Sequence, residues 1–185
     1  MDKASICSSG DDGTRGFEAR TAPPATPEAL LALLEEVGIS YSMHTHPPIF
    51  TVAEGESFKA AIPGLHCRNL FLKDKKDALF LVVCANETAV DLKALPGQLG
   101  SARLSFGSPE RLWAHLGVRP GSVCPFALIN DHNQRVVPVL DRYMMRADRV
   151  VYHPLINDKS IGLTPADLLR FLEITGHTPR IMDLS

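Results

Sequence analysis

Two apolar runs joined by a short charged turn make up the segment RNLFLKDKKDALFLVV, residues 68–83. The first run alternates, so Asn69 and Lys73 fall on one face of a strand while leucines occupy the other face. The second run is continuously apolar, as in a central strand that is covered on both faces. The segment therefore predicts a β-hairpin, with strands over 69–74 and 79–85, near the centre of a sheet.

Helix signals flank this hairpin on both sides. Thr26, Ser108 and Thr164 each precede a proline and an early acidic residue, which is the pattern of an N-cap with proline at the first helical position. Further predicted elements are a strand over 39–44, a short helix over 51–61, a helical stretch over 91–99, strands over 103–106 and 150–153, a second hairpin with strands over 126–129 and 135–140, and helical turns over 141–147. Hairpins mixed with crossovers predict an α/β fold of the mixed α+β type, a single domain whose mixed, largely antiparallel sheet is surrounded by helices.

The composition is that of one ordinary globular domain. The chain has 185 residues, of which 45% are hydrophobic and 22% charged, and its net charge is −2. This balance excludes a protein that holds nucleic acid by bulk positive charge, so such contact needs a local patch. No apolar run approaches the roughly 18 residues of a membrane helix, and we expect no membrane partner.

The first 25 residues are rich in Ser, Gly, Asp, Thr and Pro. They carry too few apolar residues to offset the entropy of ordering, which predicts a disordered tail over 1–25 and a folded domain over 26–185. The tail lacks the apolar core of a secretory signal, and the four scattered cysteines do not resemble a disulfide framework. A reducing cytoplasm is the expected location.

No generic catalytic motif is present: the chain has no P-loop, dinucleotide fingerprint, zincin helix or nucleophile elbow. His44 and His46 share one strand face and are candidate metal ligands, with Cys67 and the neighbouring His66 as the best additional pair. The alternative interpretation is a polar strand face that runs into Pro47-Pro48. We expect no metal and no cofactor.

Three other features suggest a site. Lys73 lies within an apolar strand, where its ammonium is either aimed into a cleft to hold an anion or extends to solvent at the strand end. The loop GVRPGSVCP, residues 117–125, presents backbone groups to a ligand or is a plain connector, and Cys124 within it is a candidate nucleophile. His153 ends a strand beside a proline-led turn, as a site residue or a structural histidine.

Taken together, these segments resemble the YbaK and prolyl-tRNA-synthetase-associated editing domains, and most closely the free-standing Ala-tRNA(Pro) deacylases of that family. The resemblance covers residues 28–183. It is carried by THPPIFTVAE (45–54), RNLFLKDKKDALFLVV (68–83), VDLKAL (90–95), RLSFGSPERL (103–112), LGVRPGSVCPFALIND (116–131), YHPLIND (152–158) and DLLRFLEITGH (167–177). Each motif is weak alone, and their joint order and spacing make the resemblance specific.

The resemblance implies a trans-editing hydrolase that deacylates mischarged tRNA, most readily Ala-tRNA(Pro), by ester hydrolysis without a protein nucleophile. It implies that Lys73, Gly121 and His153 are the catalytic residues. Lys73 would act electrostatically, the backbone of the loop from Gly121 to Pro125 would hold the amino group or the attacking water, and His153 would orient the site.

Other residues follow from the resemblance as binding candidates. A pocket sized for alanine would reject proline by clash, and its candidate walls include Ile49, Phe50, Val52 and Phe126, for each of which core packing is the alternative. The full set of expected substrate-binding residues is Ile49, Phe50, Asn69, Ser122, Pro125, Phe126 and Asn157. The expected tRNA-binding residues are Arg68, Lys75 and Lys76.

Two departures from the family pattern put the amino-acid specificity in question. The segment after Asn157 reads Asp158-Lys159-Ser160-Ile161 instead of a run of small residues, and Cys124 stands where serine or threonine is frequent. The expected partner is the acceptor end of a mischarged tRNA, with prolyl-tRNA synthetase or another translation factor as a further partner and no DNA. The alternative functions are a non-catalytic module that binds tRNA or a synthetase, and a metal-dependent hydrolase that uses His44, His46 and Cys67.

Overall fold

A computed structural model describes residue 22 and residues 24–48 and 61–185. The predicted helix over 51–61 lies outside these residues except for Ala61, as does most of the predicted disordered tail over 1–25. The helices are α1 (Pro27–Glu36), α2 (Leu95–Leu99), α3 (Pro109–Leu116) and α4 (Pro165–Ile174), with short 3₁₀ helices over Pro125–Asn130 and Met144–Arg146. The strands are β1 (Ser42–Thr45), β2 (Leu65–Asp74), β3 (Leu79–Ala85), β4 (Leu104–Phe106), β5 (Val136–Asp141), β6 (Val150–Tyr152), β7 (Lys159–Leu163) and β8 (Arg180–Met182).

Three of the helices begin where the sequence predicts. The hydroxyl oxygens of Thr26, Ser108 and Thr164 accept hydrogen bonds from backbone N–H groups in the first turns of α1, α3 and α4, and each helix has proline in that turn. These caps satisfy donors that a helix N-terminus otherwise leaves unpaired. The N-cap patterns are therefore confirmed as helix starts.

Within the described ranges, eight strands form one mixed sheet in the order β1-β7-β6-β2-β3-β5-β8, with β4 also paired to β2. The pairs β1–β7, β2–β3, β2–β4 and β6–β7 are antiparallel, and β2–β6, β3–β5 and β5–β8 are parallel. The predicted mixed sheet and the β2–β3 hairpin are confirmed. β3 is buried along its whole length, as its continuous apolar run predicts.

The predicted second hairpin is wrong. Residues Pro125–Asn130 form a buried 3₁₀ helix, and β5 pairs in parallel with β3 and β8. Pro125 starts this helix because its fixed φ and missing N–H suit a first helical position. Two strands were not anticipated, namely β7 and β8, since both are short and follow loops with no strand periodicity.

Two hydrophobic clusters cover the two faces of the sheet. The larger contains Phe71, Leu81, Phe126 and Phe171, and it packs between the sheet and helices α1, α3 and α4. The smaller contains residues of the opposite parity, such as Leu72 and Phe80, beneath α2. No helix in the described part of the chain is long and apolar enough to cross a bilayer.

Candidate functional site

The edge of β2 contains an opening that none of the described strands fills. β3 pairs along one edge of β2, from Cys67 to Lys73. On the other edge, β6 pairs with Leu65 and His66, and β4 pairs with Leu72 to Asp74. The intervening stretch, residues 67–70, pairs with no described strand on that edge and forms a notch between two strand ends, which we call the β2 notch.

Lys73 stands at one end of the β2 notch. Its ammonium nitrogen is 3.9 Å from Oδ1 of Asp77, and the same oxygen is 3.0 Å from Nη2 of Arg111 in α3. The Lys73 side chain is 29% exposed and that of Arg111 is 8% exposed. Lys73 is therefore a partly exposed cation that keeps contact with solvent, and Asp77 links it to α3.

The turn that carries Asp77 is held by a separate carboxylate. Oδ1 of Asp74 accepts hydrogen bonds from the backbone N–H groups of Lys76 and Ala78, at 2.7 and 2.9 Å, and its Oδ2 accepts one from Ala102 at 3.1 Å. Asp77 adopts a left-handed conformation with φ of 63°. The fixed turn therefore presents the Asp77 carboxylate to Lys73 and Arg111.

His153 follows β6, the strand that pairs with the beginning of β2. Its Nδ1–H donates to the carbonyl of Lys159 at 2.8 Å, so in the neutral ring the lone pair lies on Nε2. Burial lowers the pKa of His153 below its usual 6.5, the Lys159 carbonyl opposes this shift, and the nearby His46 and His66 reinforce it. At neutral pH, His153 is therefore an uncharged hydrogen-bond acceptor at Nε2.

The next residues form a strained turn that contacts the glycine loop. Leu155 has φ of 65°, a left-handed conformation that is costly for a branched side chain. The backbone of Leu155 hydrogen-bonds the Cys124 thiol, so the 121–125 loop lies against the turn after His153. In that loop Gly121 has φ of 94° and no atom within 4 Å of where a Cβ would lie. Glycine is required there by backbone conformation, since space is available.

His46 fixes the segment opposite His153. Its Nδ1 donates to the Pro47 carbonyl at 2.9 Å, and its Nε2 accepts from the Ser160 hydroxyl at 2.9 Å. Its ring lies 5.7 Å from the His153 ring, centroid to centroid. The tautomer follows because a carbonyl can only accept, which leaves Nε2 as the acceptor for Ser160.

Residues 46–171 match the family model described as the aminoacyl-tRNA editing domain. The chain belongs to this family. A zebrafish (Danio rerio) relative, prolyl-tRNA synthetase associated domain-containing protein 1, is 38% identical over 89% of this chain and 90% of its own length. The prolyl-tRNA editing protein ProX of Acetoanaerobium sticklandii is 33% identical over 85% of this chain and 96% of its own.

Solved structures agree on the fold of this editing domain. The crystal structure of a candidate trans-editing enzyme for prolyl tRNA synthetase superposes with a TM-score of 0.65 at 20% identity, covering 86% of this chain and 96% of that one. The hypothetical protein APE2540 gives a TM-score of 0.67 at 16% identity, covering 84% and 97%. At these identities the likeness shows the shared fold alone.

Burial of the described cysteines of this editing domain disfavours the thiolate form that reacts. Burial raises the pKa of Cys124 to about 11, and the neighbouring backbone N–H groups only partly offset this. Burial likewise raises the pKa of Cys67 to about 12, and its thiol lies against Met144. Since the thiolate is the nucleophile and the metal ligand, neither the cysteine mechanism nor the His44–His46–Cys67 metal site gains support. Among the described residues, no group of three or more His, Cys, Asp or Glu has metal-binding geometry.

The remaining sequence-predicted site residues separate into different regions. Phe126 is fully buried in the larger hydrophobic cluster and packs edge-on against Tyr152 and Phe171, as in the core-packing alternative. Arg68 donates to the Cys84 sulfur at 3.3 Å and to the Thr88 carbonyl, so its guanidinium is engaged inside the domain. Lys75 and Lys76 are exposed at the hairpin tip.

The other predicted binding residues lie nearer the β2 notch and the loop. Asn69 projects from the notch itself, and its side-chain oxygen is buried with no partner in the part of the chain that the structure describes. Ser122 and Asn157 are half-buried, whereas Pro125 is buried at the start of its 3₁₀ helix. Ile49, Phe50 and Val52 lie outside the described residues. Asp77, Arg111 and Ser160 were missed, because nothing in their local sequence reveals which residue each will contact.

Proposed function

We propose that this editing domain is a trans-acting deacylase that hydrolyses mischarged tRNA, with Ala-tRNA(Pro) as the preferred substrate. The observation that carries the proposal is the β2 notch, which has a partly exposed cation at one end and a neutral histidine beside a glycine loop at the other. Continuing the β6 register places His153 level with residue 68. Lys73 then lies five positions farther along, roughly 16 Å at about 3.3 Å per residue, and this odd spacing directs the two side chains to opposite faces of the sheet. A substrate lying across the open edge of β2, with its aminoacyl ester at His153 and its terminal nucleotide at Lys73, would reach both side chains.

These residues need to lower the reaction barrier only moderately, because an aminoacyl ester is already activated. Water attacks the ester carbonyl carbon, a new C–O bond forms, the bond to the ribose oxygen breaks, and the proton lost by water ends on that ribose oxygen. The lone pair on Nε2 of His153 would accept a hydrogen bond from the attacking water or from the neighbouring ribose hydroxyl. Lys73 would supply positive charge for the anionic part of the substrate, and backbone N–H groups near Gly121 would face the developing oxyanion.

Selection of alanine over proline would come from exclusion. One methylene in an apolar pocket changes discrimination by only about 1–3 kcal/mol, so a synthetase that charges proline needs a second, hydrolytic step to remove smaller residues. A pocket that is too small for the proline ring spares the correct product by clash. Ile49 and Phe50 remain the predicted walls of this pocket.

A panel of charged tRNAs tests the proposal. tRNA(Pro) is charged separately with alanine, serine, cysteine and proline, and release of each amino acid is followed with and without the protein. We expect alanine to be released fastest and proline to stay at its spontaneous rate. Release of none of the four would overturn the deacylase and favour a non-catalytic tRNA-binding or synthetase-binding module. Fastest release of serine or cysteine would keep the deacylase and correct its specificity.

A further inference from the structure

The backbone over residues 158–160 is held from two sides. The N–H of His46 donates to the carbonyl of Asp158 at 3.0 Å, and Nδ1–H of His153 donates to the carbonyl of Lys159 at 2.8 Å. The hydroxyl of Ser160 donates to the His46 ring at 2.9 Å. These contacts fix the position of the Asp158 side chain relative to His153, which the resemblance marks as catalytic.

The Asp158 side chain has an unmet requirement. Its Oδ1 is buried and has no hydrogen-bond partner among residues 24–48 and 61–185, and the same is true of Nε2 of His44. A buried carboxylate oxygen without a donor is costly, and folded proteins seldom leave one unless a water or a ligand satisfies it. A donor that the described residues do not provide is therefore expected at Asp158.

The register places the two unpartnered groups on the same side of the sheet. His44 pairs with Ser160, so His46 continues opposite Asp158 in the antiparallel ladder of β1 and β7. Side chains two residues apart on a strand share a face, and directly opposite residues share it too. His44, His46, Asp158 and Ser160 therefore line one face beside the His153 ring.

The charge of Asp158 acts on this region. Among the groups around His153, burial lowers the histidine pKa most, the Lys159 carbonyl raises it, His46 and His66 lower it, and Asp158 raises it. Asp158 is the negatively charged side chain in that set. A cationic ligand group placed at Oδ1 would therefore sit within electrostatic range of the imidazole that the deacylase would use.

We propose that Asp158 binds the α-ammonium group of the aminoacyl ester, with Nε2 of His44 as a second acceptor. This inference rests on the proposed deacylase function and assigns one end of its substrate. The α-ammonium is the only cation at the reacting end of an aminoacyl-tRNA, and it carries three N–H donors. Holding it beside His153 brings the ester carbonyl, two bonds away, to the histidine and the glycine loop. The site would then reject esters whose amino group is blocked or replaced.

The experiment compares three esters on the same tRNA(Pro): alanyl, N-acetylalanyl and lactyl, in which a hydroxyl replaces the amino group. Each rate is divided by the spontaneous hydrolysis rate of that ester, because the ammonium itself activates the carbonyl. We expect the wild-type protein to prefer the alanyl ester to the lactyl ester by roughly ten-fold or more, the range of a charge-assisted hydrogen bond. Asp158→Asn should lower the alanyl rate and bring the ratio close to one.

Controls separate the outcomes. Asp148 is an exposed aspartate outside the site, and Asp148→Asn should keep the wild-type ratio. A wild-type protein that accelerates alanyl and lactyl esters equally would overturn the ammonium assignment, with water as the partner of Asp158, and would leave the deacylase intact. A folded Asp158→Asn protein that keeps the wild-type alanyl-to-lactyl ratio would also overturn it. Failure of the wild-type protein on all esters would instead refute the proposed function, and the wild-type comparison holds even if the variant does not fold.

Discussion

At the scale of single residues, the environment of Lys73 favours an electrostatic role in the proposed reaction, and the environment of Cys124 disfavours a nucleophilic one. The Lys73 ammonium is partly exposed at the end of the β2 notch, whereas the Cys124 thiol is fully buried with its pKa raised to about 11. A cation that stabilises developing charge requires the first arrangement, and a nucleophile is disabled by the second.

Lys73→Ala should therefore slow deacylation by roughly 10²–10³-fold, the range seen when one electrostatic donor is removed. Cys124→Ser should change the rate by only a few-fold, because the serine hydroxyl stays buried in the same position. Single-turnover release of alanine from tRNA(Pro) measures both. Lys93→Ala, at an exposed lysine, is the matched control. Equal losses in the Lys73 and Cys124 variants would revive a cysteine mechanism.

Single residues also show which features of the candidate site cannot be predicted from sequence. The resemblance singles out Lys73, Gly121 and His153 from motifs, and their catalytic roles stay predictions. The structure adds what the motifs do not contain, namely the positive φ of Gly121 and the hydrogen bond from His153 to the Lys159 carbonyl. Phe126 shows the opposite case, because an aromatic side chain in a motif does not reveal whether it faces a cleft or the core. Asp77 and Arg111 are 34 positions apart in the printed sequence, so their ion pair exists only through tertiary structure.

At the scale of elements, the contact between β4 and β2 limits what the loop after β4 can carry. Gly107 donates its N–H to the Phe71 carbonyl, and a Cβ at position 107 would lie 2.4 Å from the Phe71 ring. Phe71 shares its face of β2 with Asn69 and Lys73, because alternate residues of a strand point the same way. Crowding at Gly107 would thus be transmitted to the β2 notch.

Gly107→Ala should lower the free energy of unfolding by about 1–3 kcal/mol, the usual cost of overpacking a filled site. Gly97→Ala is the control, since Gly97 lies in α2 with no atom within 4 Å of its would-be Cβ. There alanine should stabilise the protein by about 0.5–1 kcal/mol, because it restricts the unfolded chain. Urea unfolding of both variants measures these changes in the free energy of unfolding. A Gly107→Ala protein as stable as the wild type would show that Phe71 can move aside.

Elements were predictable where a local rule governs them. The capped helices and the β2–β3 hairpin follow from proline positions, hydroxyl caps and continuous apolar runs. The 3₁₀ helix over Pro125–Asn130 did not follow, because the apolar residues Phe126, Leu128 and Ile129 also suit a buried strand and tertiary burial decides between the two. β7 and β8 are recognised only by the partners they pair with.

At the scale of the whole molecule, a buried carboxylate joins the C-terminal region to the sheet. Oδ2 of Asp131 is 3.2 Å from Nε2 of His177 and accepts the N–H of Val136 at 2.7 Å, and its Oδ1 accepts the N–H of Arg135 at 3.1 Å. Burial alone raises the pKa of Asp131, but these hydrogen bonds outweigh burial and leave it below the usual 3.8.

A folded-state pKa below the unfolded one means that Asp131 stabilises the protein at pH values above about 4, and that this contribution is lost as the pH falls through the lower folded value. Asp131→Asn should cost about 1–3 kcal/mol at pH 7 and flatten the acid limb of the stability curve. Denaturant unfolding between pH 7 and pH 2 measures this. Asp148→Asn should keep the wild-type dependence of unfolding free energy on pH. An unchanged dependence in the Asp131 variant would show that Asp131 does not contribute to the acid limb.

The hydrogen bond between His46 and Ser160 joins residues 114 positions apart, so the two parts of the candidate site come from near the beginning and near the end of the domain sequence. Among the described strands β1 pairs with β7 alone, and β2 pairs with β6, which also lies far along the chain. Pairing of this kind forms late, since loop closure must precede it. A chain emerging from the ribosome therefore holds no assembled site until β7 has been translated. Nascent or truncated chains would carry Lys73 without His153, so under the proposed function only a chain translated through β7 could act on tRNA.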